Sequence, residues 1–139
     1  MTASETIALI ERYYEAFNEG DSDGMLACLG EDVVHDVNQS KSHIGKTAFR
    51  EIFRHMERCY AERIENMTIM ASPDGTRAAA EFLVLGTYIE TDEGLPPASG
   101  QTYTLPAGTF FEVRGGQITR VTPYYNLANW LGQIAAPKS

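Results

Sequence analysis

Positive charge is scarce in this chain. Eleven lysines and arginines stand against nineteen aspartates and glutamates in 139 residues, giving a formal charge of −8 and a pI near 4.8. That field repels a phosphate backbone and an anionic lipid surface, so neither nucleic acid nor membrane is an expected partner. Long apolar runs are missing too, and nothing approaches the roughly 20 residues that span a bilayer. The opening Met-Thr-Ala-Ser-Glu-Thr lacks the basic and apolar regions of a secretory signal. Cysteine is rare. Cys28 and Cys59 sit in separate helix-like stretches and form neither a disulfide framework nor a zinc-type spacing. The expectation is a reduced, cytoplasmic protein with two buried thiols. With 43% hydrophobic and 22% charged residues, no internal repeat and no linker, residues 1–139 read as one globular domain.

What is present begins with helical periodicity. Thr2 and Glu5 have capping-box spacing, and Ile7, Ile10, Tyr14 and Phe17 then form one helical stripe, widened by Leu9 and Tyr13. Gly20 stops that helix, and a short second one runs from Asp21 or Ser22 to Gly30. Residues 32–38 are β-branched and read as a strand. Gly45 and Thr47 open a third helix with Phe49, Ile52, Phe53, Met56 and Tyr60 on one stripe. Beyond it the period falls to two, with strands at Ile64–Ala71, Ala78–Glu90, Gln101–Arg114 and Gln117–Tyr125. Ser72-Pro73-Asp74-Gly75 and Gly115-Gly116 supply the turns. Asn126 caps a closing helix carrying Leu127, Trp130, Leu131 and Ile134. This order predicts an α+β fold in which a curved antiparallel sheet wraps the early helices and leaves a cavity between them.

Few residues offer chemistry. Strict alternation puts Val34, Asp36 and Asn38 on one strand face and Val33, His35 and Val37 on the other. A carboxylate beside apolar neighbours loses hydration and becomes a stronger base, although a solvated strand-end Asp has the same spacing. Tyr13 and Tyr14 either donate a hydrogen bond to a developing oxyanion or simply pack. Tyr124 and Tyr125 pose the same choice. His35, His43 and His55 form no chelating pattern, so no metal is expected. No phosphate loop or nucleophile elbow is present.

Arg12-Tyr13-Tyr14-Glu15-Ala16-Phe17-Asn18-Glu19-Gly20-Asp21 resembles the first-helix motif of ketosteroid isomerase and its relatives in the nuclear transport factor 2-like superfamily. Glu31-Asp32-Val33-Val34-His35-Asp36, Gly45-Lys46-Thr47-Ala48-Phe49-Arg50 and Arg114-Gly115-Gly116-Gln117-Ile118 are similar to its strand, third-helix and hairpin signatures. The resemblance extends over nearly the whole chain and is nearest to the SnoaL-like, steroid isomerase-related branch. It implies a cone-shaped α+β fold, with a curved sheet around three N-terminal helices and a short C-terminal helix. It also implies a deep apolar cavity and a homodimer formed through the sheet. Asp36 takes the place of the general base and Tyr13 that of the oxyanion-hole tyrosine. The second oxyanion donor falls on Gly108 and is missing, with Asn38 and Tyr125 as replacement candidates. Asn38, Phe17, Tyr125 and Trp130 are the expected substrate-binding residues.

The implied activity is isomerisation or aldol-type cyclisation of a small hydrophobic carbonyl compound, without metal or organic cofactor. The alternative is a non-catalytic ligand-binding or dimerisation module. A scaffold like nuclear transport factor 2 itself is a third choice.

Overall fold

The computed structural model describes residues 1–38 and 41–135. Helix α1 (Ala3–Glu19) starts on the expected capping box, where Thr2 Oγ1 accepts from the Glu5 amide and the Glu5 carboxylate accepts from the Thr2 amide. It stops at Gly20, whose φ of 71° is left-handed and so favours glycine. Helix α2 (Ser22–Ala27) follows an Asp21 cap, and then come strands β1 (Leu29–Asp36) and β2 (Ser42–Ile44). Helix α3 (Lys46–Cys59) leads into β3 (Tyr60–Ala71), β4 (Arg77–Tyr88), β5 (Thr102–Arg114) and β6 (Gln117–Tyr125). Helix α4 (Leu127–Ala135) closes the described chain, its first turn capped by the Asn126 side chain.

The six strands form one open sheet in the order β2-β1-β6-β5-β4-β3. Several features differ from the sequence reading, among them the start of β3, which takes in Tyr60 in place of the third helix and begins four residues before Ile64. Strand β2 was not foreseen, and β1 pairs with β6 in parallel, so the sheet is mixed. Strand β1 also lies earlier than residues 32–38, ending at Asp36. Bends come from local irregularities. Between Glu65 and Thr68 the β3–β4 register slips at a bulge where Asn66 takes a φ of 53°. The slip changes which residues of β3 face inward, from Tyr60, Glu62 and Ile64 to Met67, Ile69 and Ala71.

The concave face holds the core. Leu9, Ile10, Tyr13 and Tyr14 of α1 pack over Phe82 and Val84 of β4 and Phe111 of β5, all buried. Rings meet edge to face here, with Tyr13 and Phe111 centroids 5.9 Å apart and Tyr13 and Tyr14 5.0 Å apart. Cys28 and Cys59 are both buried free thiols. No helix among the described residues is long and apolar enough to cross a membrane.

Candidate functional site

Between the helices and the concave face lies an apolar cavity of about 250 Å3. Tyr13 and Phe17 reach it from α1, Phe49 and Phe53 from α3, and Tyr125 and Trp130 from the C-terminal end. Its polar lining is sparse: His35, Asn38, Glu62, Thr109 and the tyrosine hydroxyls. Few polar groups in an apolar hollow fix a ligand's orientation without competing water.

Five of the six residues singled out from the sequence line this one cavity: Tyr13, Phe17, Asn38, Tyr125 and Trp130. Asp36 is the exception. Its strand neighbour His35 points inward, so alternation sends Asp36 to the outer face. There it accepts hydrogen bonds from Arg120 Nε at 2.7 Å, from the Thr122 hydroxyl at 2.6 Å and from the Ser42 hydroxyl. Burial raises its pKa, but the bonds from Ser42, Thr122 and Arg120 outweigh burial and hold it at about 2. A carboxylate so satisfied is a poor base, and it faces away from the cavity. The expectation of Asp36 as the cavity base is therefore corrected. Asn38 was placed on the Asp36 face, yet it reaches the cavity because β1 has ended and alternation no longer applies.

His35 stands where Asp36 was expected. It packs on Phe49 with ring centroids 4.9 Å apart, and its buried Nδ1 has no hydrogen-bond partner among the described residues. Burial, reinforced by His43 and opposed by Asp36, pushes its pKa down to about 4, so the imidazole is neutral at pH 7. Tyr13 packs on the other side of the same cluster, 6.4 Å from Phe49 between centroids. Burial, then Tyr14 and Cys28, raise its pKa well above the ordinary phenol value, so it is a neutral donor. The Tyr14 hydroxyl is already committed, donating to Thr109 Oγ1 at 2.9 Å. Thr109 is also what stands inward where the sequence comparison placed Gly108. Inward positions of β5 are Tyr103, Leu105, Ala107, Thr109 and Phe111, while Gly108 lies on the outer face.

The opposite end of the cavity is more polar. Asn38 Oδ1 accepts from the Tyr125 amide at 3.2 Å, and its buried Nδ2 is unpartnered among the described residues. Glu62 accepts a hydrogen bond from the Tyr103 hydroxyl at 2.5 Å. Burial raises the Glu62 pKa, partly opposed by that bond. Neither His35 nor Glu62 was singled out as a site residue from sequence. For His35 a signal existed, since Val33 and Val37 flank it on its own face. For Glu62, in a strand start rich in charge, none did.

Outside the cavity, His55, Cys59 and Asp92 bring potential metal-ligand atoms within 4.8 Å of one another. The sequence reading found no zinc-type spacing around Cys59, and the fold nonetheless brings His55, one helical turn before it, and Asp92 to its side. Arg58 can only donate to His55 Nδ1, so Nε2 carries the proton and donates to Asp92 Oδ1 at 2.8 Å. Asp92 also accepts from Tyr60 at 2.7 Å. The cluster is a hydrogen-bonded clasp between α3 and the segment after β4.

Helices held in the bend of an open six-stranded sheet, over an apolar hollow, define the nuclear transport factor 2-like class of α+β fold. Within it the chain belongs to the SnoaL-like domain family, whose profile matches residues 10–121. It is similar to a candidate polyketide cyclase from Silicibacter sp., at 54% identity over 98% of this chain and 99% of that one, with a TM-score of 0.94. A candidate polyketide cyclase from Pseudomonas putida is 51% identical over 97% of this chain and 99% of that one, with a TM-score of 0.93. An epoxide hydrolase of M. tuberculosis shares the fold alone, at 19% identity, a TM-score of 0.73 and coverage of 95% and 86%. No curated protein matches the chain.

Proposed function

We propose that this chain binds a small hydrophobic carbonyl compound in the cavity and moves a proton between its carbon atoms, in an isomerisation or cyclisation. His35, in place of Asp36, is the base in this reading, and Tyr13 polarises the carbonyl. The observation that carries it is a buried His35 imidazole in the lining of an apolar cavity, its Nδ1 without a hydrogen-bond partner among the described residues. With a pKa of about 4 its basicity matches that of an ordinary carboxylate, the group usual for such proton transfers. In the step, the unprotonated nitrogen of the His35 imidazole takes a proton from carbon α to the carbonyl, and the enolate oxygen accepts the Tyr13 hydrogen bond. The same nitrogen returns the proton to carbon. Two close relatives named as candidate polyketide cyclases support this class of chemistry.

The test needs no knowledge of the natural substrate. In D2O, the α-hydrogens of a two-ring ketone such as 2-tetralone should exchange faster with the protein than in buffer alone, followed by NMR. His35→Gln should abolish the acceleration. Tyr13→Phe should lower it about 100- to 1,000-fold, the usual cost of losing an oxyanion donor. Asp36→Asn should leave it intact. As pH falls, exchange should persist through pH 6 and fail only near pH 4, where His35 takes up a proton.

A second reading is a non-catalytic binding module, favoured by the structural engagement of Asp36 with Arg120, Thr122 and Ser42. Ketone binding without accelerated exchange would select it.

A further inference from the structure

Glu62, Gly86 and Tyr103 lie side by side on β3, β4 and β5, each paired to the next across the sheet. All three belong to the inward-facing rows. A Cβ built on Gly86 would fall inside the Tyr103 ring, so the missing side chain is what lets that ring lie across β4. Lying there, its hydroxyl reaches Glu62 Oε2 at 2.5 Å. The second carboxyl oxygen, Oε1, has no hydrogen-bonding partner among the described residues.

The place where this pair sits is distinctive. Glu62 lines the inner cavity and also an outer pocket of about 370 Å3 between the end of α1, α3 and the start of β3. Phe17, Phe53 and Met56 are likewise shared by the two hollows. Glu62 therefore stands at the neck between solvent and the cavity, ringed by apolar side chains. Glu19 and Glu57 line the outer pocket, and among the described residues no lysine or arginine does.

We propose that the Glu62–Tyr103 pair is a head-group site at this neck: the free Glu62 oxygen accepts a hydrogen bond from a hydroxyl of an otherwise apolar ligand whose rings fill the inner cavity. The same carboxylate, with Glu19 and Glu57 outside it, turns away ligands bearing a carboxylate. An inner volume of about 250 Å3 is small among ligand pockets and suits a one- or two-ring compound. A hydrogen bond to a charged acceptor is stronger than one between neutral groups, and bringing a second anion beside that carboxylate is unfavourable. The inference rests on the inner cavity being the ligand chamber, as proposed above.

Calorimetric titration of the whole chain with three probes tests it: 2-naphthol, its methyl ether, which cannot donate, and 2-naphthoate. The wild type should bind 2-naphthol about tenfold or more tighter than the ether, with naphthoate weakest. Glu62→Gln should shrink the naphthol advantage by about tenfold and strengthen naphthoate. Tyr103→Phe adds a readout that a merely structural role would not move. The tyrosine bond lowers the Glu62 pKa, so its loss should move the pH at which the naphthol advantage fades upward. The groups facing Glu62 in that titration are Tyr103 and Tyr125 on the inner side and Glu19 and Glu57 on the outer. Unchanged probe ratios in Glu62→Gln, or an unmoved midpoint in Tyr103→Phe, would overturn the inference while leaving the cavity reading standing. Failure of both neutral probes to bind the wild type would remove both.

Discussion

Asp36 and His35 are adjacent, and the sheet treats them in opposite ways. Asp36 gains three donors on the outer face, while His35 is stripped of water and left with an empty Nδ1 inside. Both make the fold acid-sensitive, in separate windows. His35 has a depressed pKa, so below about 6.5 the unfolded chain binds a proton that the native state refuses, and stability falls until about pH 4. Asp36 is also depressed, so its contribution is complete above 3.8 and is lost as pH falls towards about 2. Acid titration of thermal stability should therefore show two declines, and His35→Gln should remove the upper one alone. Asp36→Asn should cost about 1 kcal/mol, a charge-assisted network discounted for the exposure of Arg120. Denaturant unfolding of that variant at pH 7 measures the figure. Which residue of β1 turns into the cavity was within one position of being legible in the sequence. A one-residue slip in a strand exchanges the faces completely, and the two valines beside His35 outweigh the one beside Asp36 as a sign of the buried side. Gly108 and Thr109 repeat the lesson on β5.

At the scale of elements, local signals carried well. The Thr2–Glu5 box, the Ser72–Gly75 turn, the Gly115-Gly116 hairpin and the Asn126 cap all appear where short-range chemistry put them. What could not be read was non-local. The parallel pairing of β1 with β6 joins segments some ninety positions apart, and no spacing rule within either strand encodes it. The bulge at Asn66 was equally hidden, because its cause is the fit of β3 to β4. Asn18 shows the same limit within a recognised motif. Its side chain behaves like one residue of an extra strand, donating to the Ile64 carbonyl at 3.0 Å and accepting from the Ile64 amide at 2.8 Å. It thus fastens the end of α1 to the sheet's β3 edge and occupies part of an edge otherwise open to pairing. Asn18→Ala removes both bonds. It should cost about 1–2 kcal/mol in unfolding free energy, since water replaces them incompletely at this part-buried point. Hydrogen exchange at the Ile64 amide should accelerate more than at Val84 on neighbouring β4.

The whole molecule has two chemically different sheet faces, and the outer one is unusually apolar for a chain of charge −8. Met70, Phe110 and Tyr124 are about half exposed there, at 52%, 50% and 57%, with Leu83 and Pro106 among them. A contiguous apolar patch on so acidic a surface is best covered by a like patch, and we propose that its occupant is a second copy of the chain. Two-fold pairing would bring Phe110 and Tyr124, already edge to face at 5.7 Å, against their symmetry mates. A stable dimer of this kind buries about 800 Å2 per partner. Two acidic protomers also repel, so association should strengthen as salt rises from low ionic strength, the reverse of an ion-paired interface. Light scattering should give twice 15.4 kDa for the wild type, and Phe110→Glu should return it to a monomer. Phe110 is not among the residues lining the cavity, so the monomeric variant should still accelerate ketone exchange. A wild-type mass of one chain at every concentration and salt would remove the dimer, and loss of exchange in a folded monomer would mean that the outer face shapes the cavity after all.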